Sequence, residues 1–389
     1  MSSITTSALF TGLIFQGLLA IAQNNYTING KLSNVKDGEI INLMENSGNI
    51  FVTIASDTVK NGKFNFSGKI KESTELALIG NSADFPSKWL SLWVGPKSAI
   101  QISGNNYFLN TWNVISKDLR QQELGKYTAS TKQELDSIQN LSVQVGLLFQ
   151  KMNNASAAEL KTIKFQIDSL RTIESVWQQK VFQKEISILK TAKVSDIWFK
   201  KMTEMAMDVR YNEKSSFRPA VTSLFNKLTP QQKLELRALE ISNYLYPPVV
   251  VKKGESMVDT ILKDLNGKNH MLKDYKGKYL LLDFWSVACG PCMMAMPELR
   301  QLDSTAKDKI LIVSISMDTK KEIWEKVSLS EKISWLNLSD GKGMTGIAAR
   351  YGVSGIPHYV VISPEGVVLN SWTGYSKGLL QDKLKSYLE

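Results

Sequence analysis

Cys289 and Cys292 are the only two cysteines in the sequence, and Gly290-Pro291 stands between them. Two thiols at this spacing can close and reopen a disulfide, and the thiolate form is the nucleophile of that exchange. The competing chemistry for such a pair is half of a zinc site. A structural zinc centre takes four ligands, and the only other thiol or imidazole groups are His270 and His358. Their spacing fits no usual zinc pattern, so neither a metal nor an organic cofactor is expected. With so few histidines, imidazole-based catalysis also has little to work with.

The elements that must hold this pair can be read around it. Lys278–Trp285 is an almost continuous apolar run, as in a strand buried on both faces, and Asp283 interrupts it. Residues 291–305 read as a helix, so the pair falls at a strand-to-helix junction. There Cys289 occupies the helix N-terminus, where free N–H groups and the helix dipole favour an anion. Its pKa is expected to fall, while Cys292 lies one turn further in and more enclosed. The Asp283 carboxyl, in a buried strand, is expected to be desolvated and its pKa raised. Beyond the helix, Ile310–Ser316 reads as a second buried strand and Lys320–Leu329 and Met344–Tyr351 as helices. Tyr359–Ile362 and Val367–Ser371 read as a hairpin across Ser363-Pro364-Glu365-Gly366, and Gly378–Leu388 as a closing helix. Leu265-Asn266-Gly267-Lys268 has the chemistry of a tight hairpin. This is an α/β layout around a central sheet.

The rest of the chain reads differently. Residues 26–103 alternate polar and apolar at period two between frequent turns, the pattern of a small antiparallel sandwich or barrel. From about 117 to 245 the period lengthens. Leu160, Ile163, Ile167, Leu170, Ile173, Trp177, Val181 and Phe182 recur at threes and fours, an amphipathic helix. Thr229-Pro230 reads as an N-cap with proline following, and Tyr246-Pro247-Pro248-Val249 as a break. At the start, the apolar run over residues 8–21 is shorter than the ~20 residues of a bilayer crossing. It ends in Ala20-Ile21-Ala22 before a polar stretch, as a cleaved secretory signal does. The expected organisation is therefore multidomain: a signal peptide over 1–22, an all-β N-terminal domain over 23–116, a helical segment over 117–246 and an α/β domain over 247–389. The net charge of +10 is spread along the chain with no Lys/Arg-rich run, which argues against a nucleic-acid partner.

Four motifs together make residues 250–389 resemble the thioredoxin fold, in particular the TlpA/ResA-type exported thiol-disulfide oxidoreductases. They are Asp283-Phe284-Trp285, Cys289-Gly290-Pro291-Cys292, Pro297 within the helix, and Gly355-Ile356-Pro357 before a late strand. The resemblance implies that Cys289 attacks and Cys292 resolves, that Asp283 moves the proton of Cys292, and that Pro357 is cis and faces the disulfide. It also implies a substrate groove, to which Trp285, Ile356 and His358 are assigned, whereas His270 is expected at the surface. The implied activity is reduction of disulfides in client proteins of a Gram-negative periplasm or envelope. A membrane thiol reductase would supply electrons, with cytochrome c maturation or disulfide repair as the outlet. The sequence departs from the family at Ala288, where Trp is frequent before the first cysteine, and at Ala295, where ResA-like members carry Glu. The rival reading is an adaptor that binds an envelope protein or a saccharide and uses the redox domain as a scaffold. Asp57-Thr58-Val59-Lys60-Asn61-Gly62-Lys63-Phe64-Asn65-Phe66-Ser67-Gly68 resembles the signature of a β-rich module of unknown function found ahead of exported thioredoxin-like domains. Asp57 and Thr58 read there as turn residues.

Overall fold

A computed structural model describes residues 25–47 and 50–389; the expected signal peptide lies outside them. The chain divides into two compact units, one ending at Trp198 and one over Phe199–Glu389.

The first unit opens with eight strands: β1 (Asn25–Leu32), β2 (Ile40–Ser47), β3 (Ile50–Thr58), β4 (Lys63–Lys69), β5 (Thr74–Gly80), β6 (Leu90–Val94), β7 (Ala99–Gly104) and β8 (Asn113–Ile115). They form two four-stranded sheets, ordered β4-β1-β7-β8 and β3-β2-β5-β6. Alternation along the strands sends Tyr26, Ile28 and Leu32 of β1, Phe64 and Phe66 of β4, Leu76 and Leu78 of β5 and Ile100 and Ile102 of β7 into one core. β1 lies inside its sheet, antiparallel to β4 and parallel to β7. The Asn61-Gly62 turn needs its glycine: Gly62 has φ +66°, and a Cβ there would lie 2.4 Å from the Leu32 carbonyl oxygen. Asp57 accepts from the backbone N–H groups of Thr58 and Asn65, at 2.8 and 2.7 Å, a turn role.

Two long helices follow, α1 (Leu119–Met152) and α2 (Ala157–Leu189), and pack on one another. Ser156 and Glu159 form a capping box at the start of α2. Between the helices the Lys184 ammonium donates to the buried Glu134 carboxylate at 2.8 Å. Of the apolar row read on α2, Ile163, Ile167, Val181 and Phe182 are buried, while Ile173 is exposed.

The division between units falls within α3 (Asp196–Tyr211). The second unit continues through α4 (Arg218–Asn226), α5 (Pro230–Lys233) and α6 (Leu236–Leu245). Thr229 caps α5 with Pro230 at its start, and α6 ends before Pro247. Asn243 of α6 donates from Nδ2 to the Thr345 carbonyl at 3.0 Å, tying these helices to the α/β part of the unit. A two-residue ladder of β9 (Leu262–Lys263) and β10 (Asn269–His270) then leads into β11 (Tyr279–Trp285), α7 (Gly290–Ala306), β12 (Ile310–Ser316), α8 (Lys321–Ser330), β13 (Leu336–Leu338), α9 (Ile347–Arg350), β14 (His358–Ile362), β15 (Val368–Thr373) and α10 (Leu379–Leu388). The sheet order is β13-β12-β11-β14-β15, with β11, β12 and β13 parallel and β14 and β15 antiparallel. Leu280, Leu282 and Phe284 of β11 face one core, and Leu281 and Trp285 face the other, which holds both cysteines. No helix among the described residues is long and apolar enough to cross a membrane.

β8 and β13 were not expected; at three residues each they are too short to show a period. His270 corrects the surface expectation. It is 9 % exposed, its Nδ1 pairs with the Tyr275 hydroxyl and its Nε2 lies 3.2 Å from an Asp264 carboxylate oxygen, so its partners offset the cost of burial.

Candidate active site

β11 delivers the chain to the mouth of the site, and the turn over residues 286–288 is pinned before α7 begins. The Asp318 carboxylate just beyond β12 accepts from Ser286 Oγ at 2.8 Å, Val287 N–H at 3.1 Å and Ser316 Oγ at 2.9 Å. Cys289 is the N-cap of α7, with Gly290 and Pro291 opening the helix. Its sulfur accepts the Cys292 backbone N–H at 3.2 Å. Proline costs nothing here, because the first helical N–H groups have no partner within the helix.

The two cysteines are joined in a disulfide with Cα atoms 5.2 Å apart. The pair is unequal: Cys289 is 8 % exposed and Cys292 1 %. Ala288, Gly290, Pro291 and Met294 around it are exposed and form a mostly apolar rim.

Asp283 lies on the same face of β11 as Leu281 and Trp285, the face whose core holds both cysteines. It is 1 % exposed, and Ser314 Oγ donates to its Oδ2 at 2.7 Å. Burial pushes its pKa up to about 7, against the opposing pull of the Ser314 hydrogen bond. Ser314 Oγ in turn accepts the Trp335 indole N–H at 2.8 Å. Across the sheet Tyr359 is in register with Asp283, and burial, reinforced by the Asp283 charge, drives its phenol far above the ordinary range.

Ile356 reaches both hydrophobic cores, and the Ile356–Pro357 bond is cis, with Pro357 buried. Two residues assigned to the substrate groove sit elsewhere. Trp285 is 0 % exposed, so no client can touch its ring. His358 is in register with Phe284 and faces the core opposite the sulfurs. Its ring lies edge-on to Phe284, its Nδ1 is 2.7 Å from Thr373 Oγ1, and burial lowers its pKa. Side chains alternate along a strand, so a histidine one step from Tyr359 must point away from the site.

Ser314, Trp335 and Asp318 were missed by sequence reasoning. The one local signal is Ser314 in the otherwise aliphatic run Ile310–Ile315; its meaning depends on the parallel register that sets it beside Asp283.

Two regions of the chain match known families. A family model described as thioredoxin-like matches residues 277–368, and one described as a domain of unknown function (DUF4369) matches 26–106. The thiol-disulfide oxidoreductase ResA of Bacillus cereus is 30% identical over 137 residues, 35% of this chain and 76% of the relative. The chain belongs to the thioredoxin-like thiol-disulfide oxidoreductases. Another relative of this family, the thioredoxin-like protein YneN of Bacillus subtilis, is 29% identical over 145 residues, 36% of this chain and 84% of its own. Among solved structures, the thioredoxin domain of a thiol-disulfide oxidoreductase from Bacteroides vulgatus aligns with a TM-score of 0.33 at 26% identity. That alignment covers 36% of this chain and 99% of that one. Both N-terminal and C-terminal regions thus have relatives, and the multidomain architecture of β-rich region, helices and thioredoxin-like α/β fold stands.

Proposed function

We propose that this oxidoreductase is exported to a Gram-negative periplasm or envelope and there reduces disulfides of client proteins. Residues 247–389 carry the chemistry, behind a β-rich domain over 23–116 and a helical segment over 117–246. Cys289 is the attacking thiol, Cys292 the resolving thiol and Asp283 the proton partner of Cys292. The observation that carries the reading is the unequal pair at the start of α7: the N-cap sulfur that receives a backbone N–H is the more exposed one, and its partner is enclosed on the side of the sheet that carries a buried acid.

Each step balances in atoms and electrons. The Cys289 thiolate attacks one sulfur of a client disulfide; the client S–S bond breaks and the second client sulfur leaves as a thiolate. Cys292 passes its proton to the Asp283 carboxylate and attacks the Cys289 sulfur. The Cys289–Cys292 bond forms, and the first client sulfur leaves as a thiolate that takes up a proton. The client gains two electrons and the enzyme is left as the disulfide. A dithiol donor, a membrane thiol reductase on this reading, returns two electrons by the same exchange. Pro357 and Ile356 form the wall beside the sulfurs, where Ile356 offers backbone to an extended client segment. The signal-like residues 8–22 support export, and delivery of reductant outside the cytosol fits cytochrome c maturation or repair of mispaired disulfides.

Trapping tests the reading. Cys292→Ser cannot resolve, so it should accumulate client proteins disulfide-linked to Cys289, and reducing agent should release them. Cys289→Ser should trap none. Equal trapping by both variants, or none by either, would overturn the assignment of roles.

A further inference from the structure

The buried chain from Trp335 through Ser314 to Asp283 has a fixed direction. An indole N–H only donates, so Ser314 Oγ must accept from it at 2.8 Å. Its single hydroxyl hydrogen is then free for Asp283 Oδ2 at 2.7 Å. These are the two hydrogen-bond partners of Ser314 Oγ among the described residues. Were Asp283 protonated on Oδ2 and donating to Ser314, the hydroxyl hydrogen would be left unpaired in a fully buried site, which is disfavoured. We infer that Trp335 and Ser314 act as a one-way hydrogen-bond chain that reserves Oδ2 as an acceptor and keeps the Asp283 proton on Oδ1. Both are positioning residues for the proton step at Cys292, and the inference rests on the proposed role of Asp283 in that step.

The rest of the surroundings do not supply this direction. The titratable groups packed into the same core are Tyr279 of β11, Tyr359 of β14, Cys289 and Cys292 at the start of α7, Tyr375 beyond β15 and Tyr387 of α10, with Glu298 of α7 beside Tyr375. Glu298 commits one oxygen elsewhere: its Oε1 accepts from the Tyr375 hydroxyl and from Gly378 N–H, each at 2.8 Å, while its Oε2 is buried with no hydrogen-bond partner among the described residues, and it makes no hydrogen bond to Asp283. Tyr359 stays neutral, and its hydroxyl has no hydrogen-bond partner among the described residues. No cation is among these groups, so Ser314 is the group that holds the ionised carboxylate. A hydroxyl fixed as a donor favours that ionised form. It therefore restrains the upward drive of burial and keeps Asp283 able both to take and to give a proton near neutrality.

The test is a carbon-13 NMR titration of the Asp283 carboxyl in the full-length protein, run beside stopped-flow kinetics of the resolving step from pH 5 to 10. Ser314→Ala should raise the proton affinity of Asp283 roughly tenfold, since a hydrogen bond to the charged form is lost. Ser314→Thr, which keeps the hydroxyl, should restore the wild-type midpoint. Trp335→Phe, which frees the hydroxyl to rotate, should shift the midpoint in the same direction as Ser314→Ala by a smaller amount. An unchanged or lowered midpoint in Ser314→Ala overturns the chain. So does a Trp335→Phe midpoint equal to wild type, a result that decides the matter even if Ser314→Ala fails to fold. If the midpoints move as expected while the pH profile of the resolving step does not follow, the chain stands and the role of Asp283 at Cys292 falls.

Discussion

Asp283 occupies a strand otherwise built from tyrosine, leucine, phenylalanine and tryptophan. Its folded-state pKa of about 7 lies above the ordinary aspartate value, so the folded protein holds a proton that the unfolded chain has released. Stability is therefore greatest below the unfolded pKa and falls as pH rises through the folded one. With about 1.4 kcal/mol per pKa unit, the penalty at pH 9 is on the order of 4 kcal/mol. Asp283→Asn should stabilise the oxidised protein against urea at pH 9, and the gain should disappear by pH 4. A gain of equal size at both pH values would show that ionisation is not its source. Asp318 acts by a different route. It holds the turn before Cys289 with three accepted hydrogen bonds, and Asp318→Ala should cost about 1–3 kcal/mol by stranding their donors. Asp318→Asn, which keeps one acceptor oxygen, should cost less; both are read as urea midpoints at constant slope. Cys289, Cys292 and Asp283 were legible in the sequence because their chemistry is local to one strand and one helix start. Ser314, Trp335 and Asp318 were not, because they matter only through the register of β12 on β11.

The helices and longer strands follow their local patterns, because propensity, periodicity and caps agree. Ile310–Ser316 forms a strand with the ends that the sequence predicts, and the period-two stretch over residues 26–103 folds into β1–β7. Thr229-Pro230 starts α5 with a capping box that joins Thr229 and Gln232. Where only the partner strand defines the element, as for β8 and β13, the sequence is silent. The direction of His358 was open to reading in principle, since alternation from Tyr359 decides it, but the sequence does not say which of the two faces carries the sulfurs. Ser156 gives an element-scale test. It accepts the Glu159 N–H, and the Glu159 carboxylate in return receives the Ser156 N–H at 2.8 Å. Ser156→Ala should lower the stability of the first unit by about 1 kcal/mol. Far-UV circular dichroism at 222 nm, followed through thermal melting, would record it, and no change in midpoint would mean that α2 is held by packing alone.

For the molecule as a whole, the family resemblance begins near residue 250, but the compact second unit begins at Phe199. The reason is packing that a motif cannot show: α6 buries Ala238, Ile241 and Leu245 and is tied to Thr345 through Asn243. A chain beginning at Phe199 should therefore melt on the order of 10 °C higher than one beginning at Pro247, given the apolar area lost with α4–α6. Differential scanning calorimetry of the two chains decides it; equal melting temperatures would make 247 the true start of the folding unit.

The interior position of β1 has a consequence in time. Its two neighbours, β4 and β7, end at Lys69 and Gly104, so the first strand made is among the last to have both edges filled. Contacts spanning such sequence distances are slow to form. The sandwich cannot close as its opening residues emerge; it waits for more than half of its own unit. β1 gains its antiparallel neighbour with β4 and its parallel one only with β7, and β8 then completes the sheet.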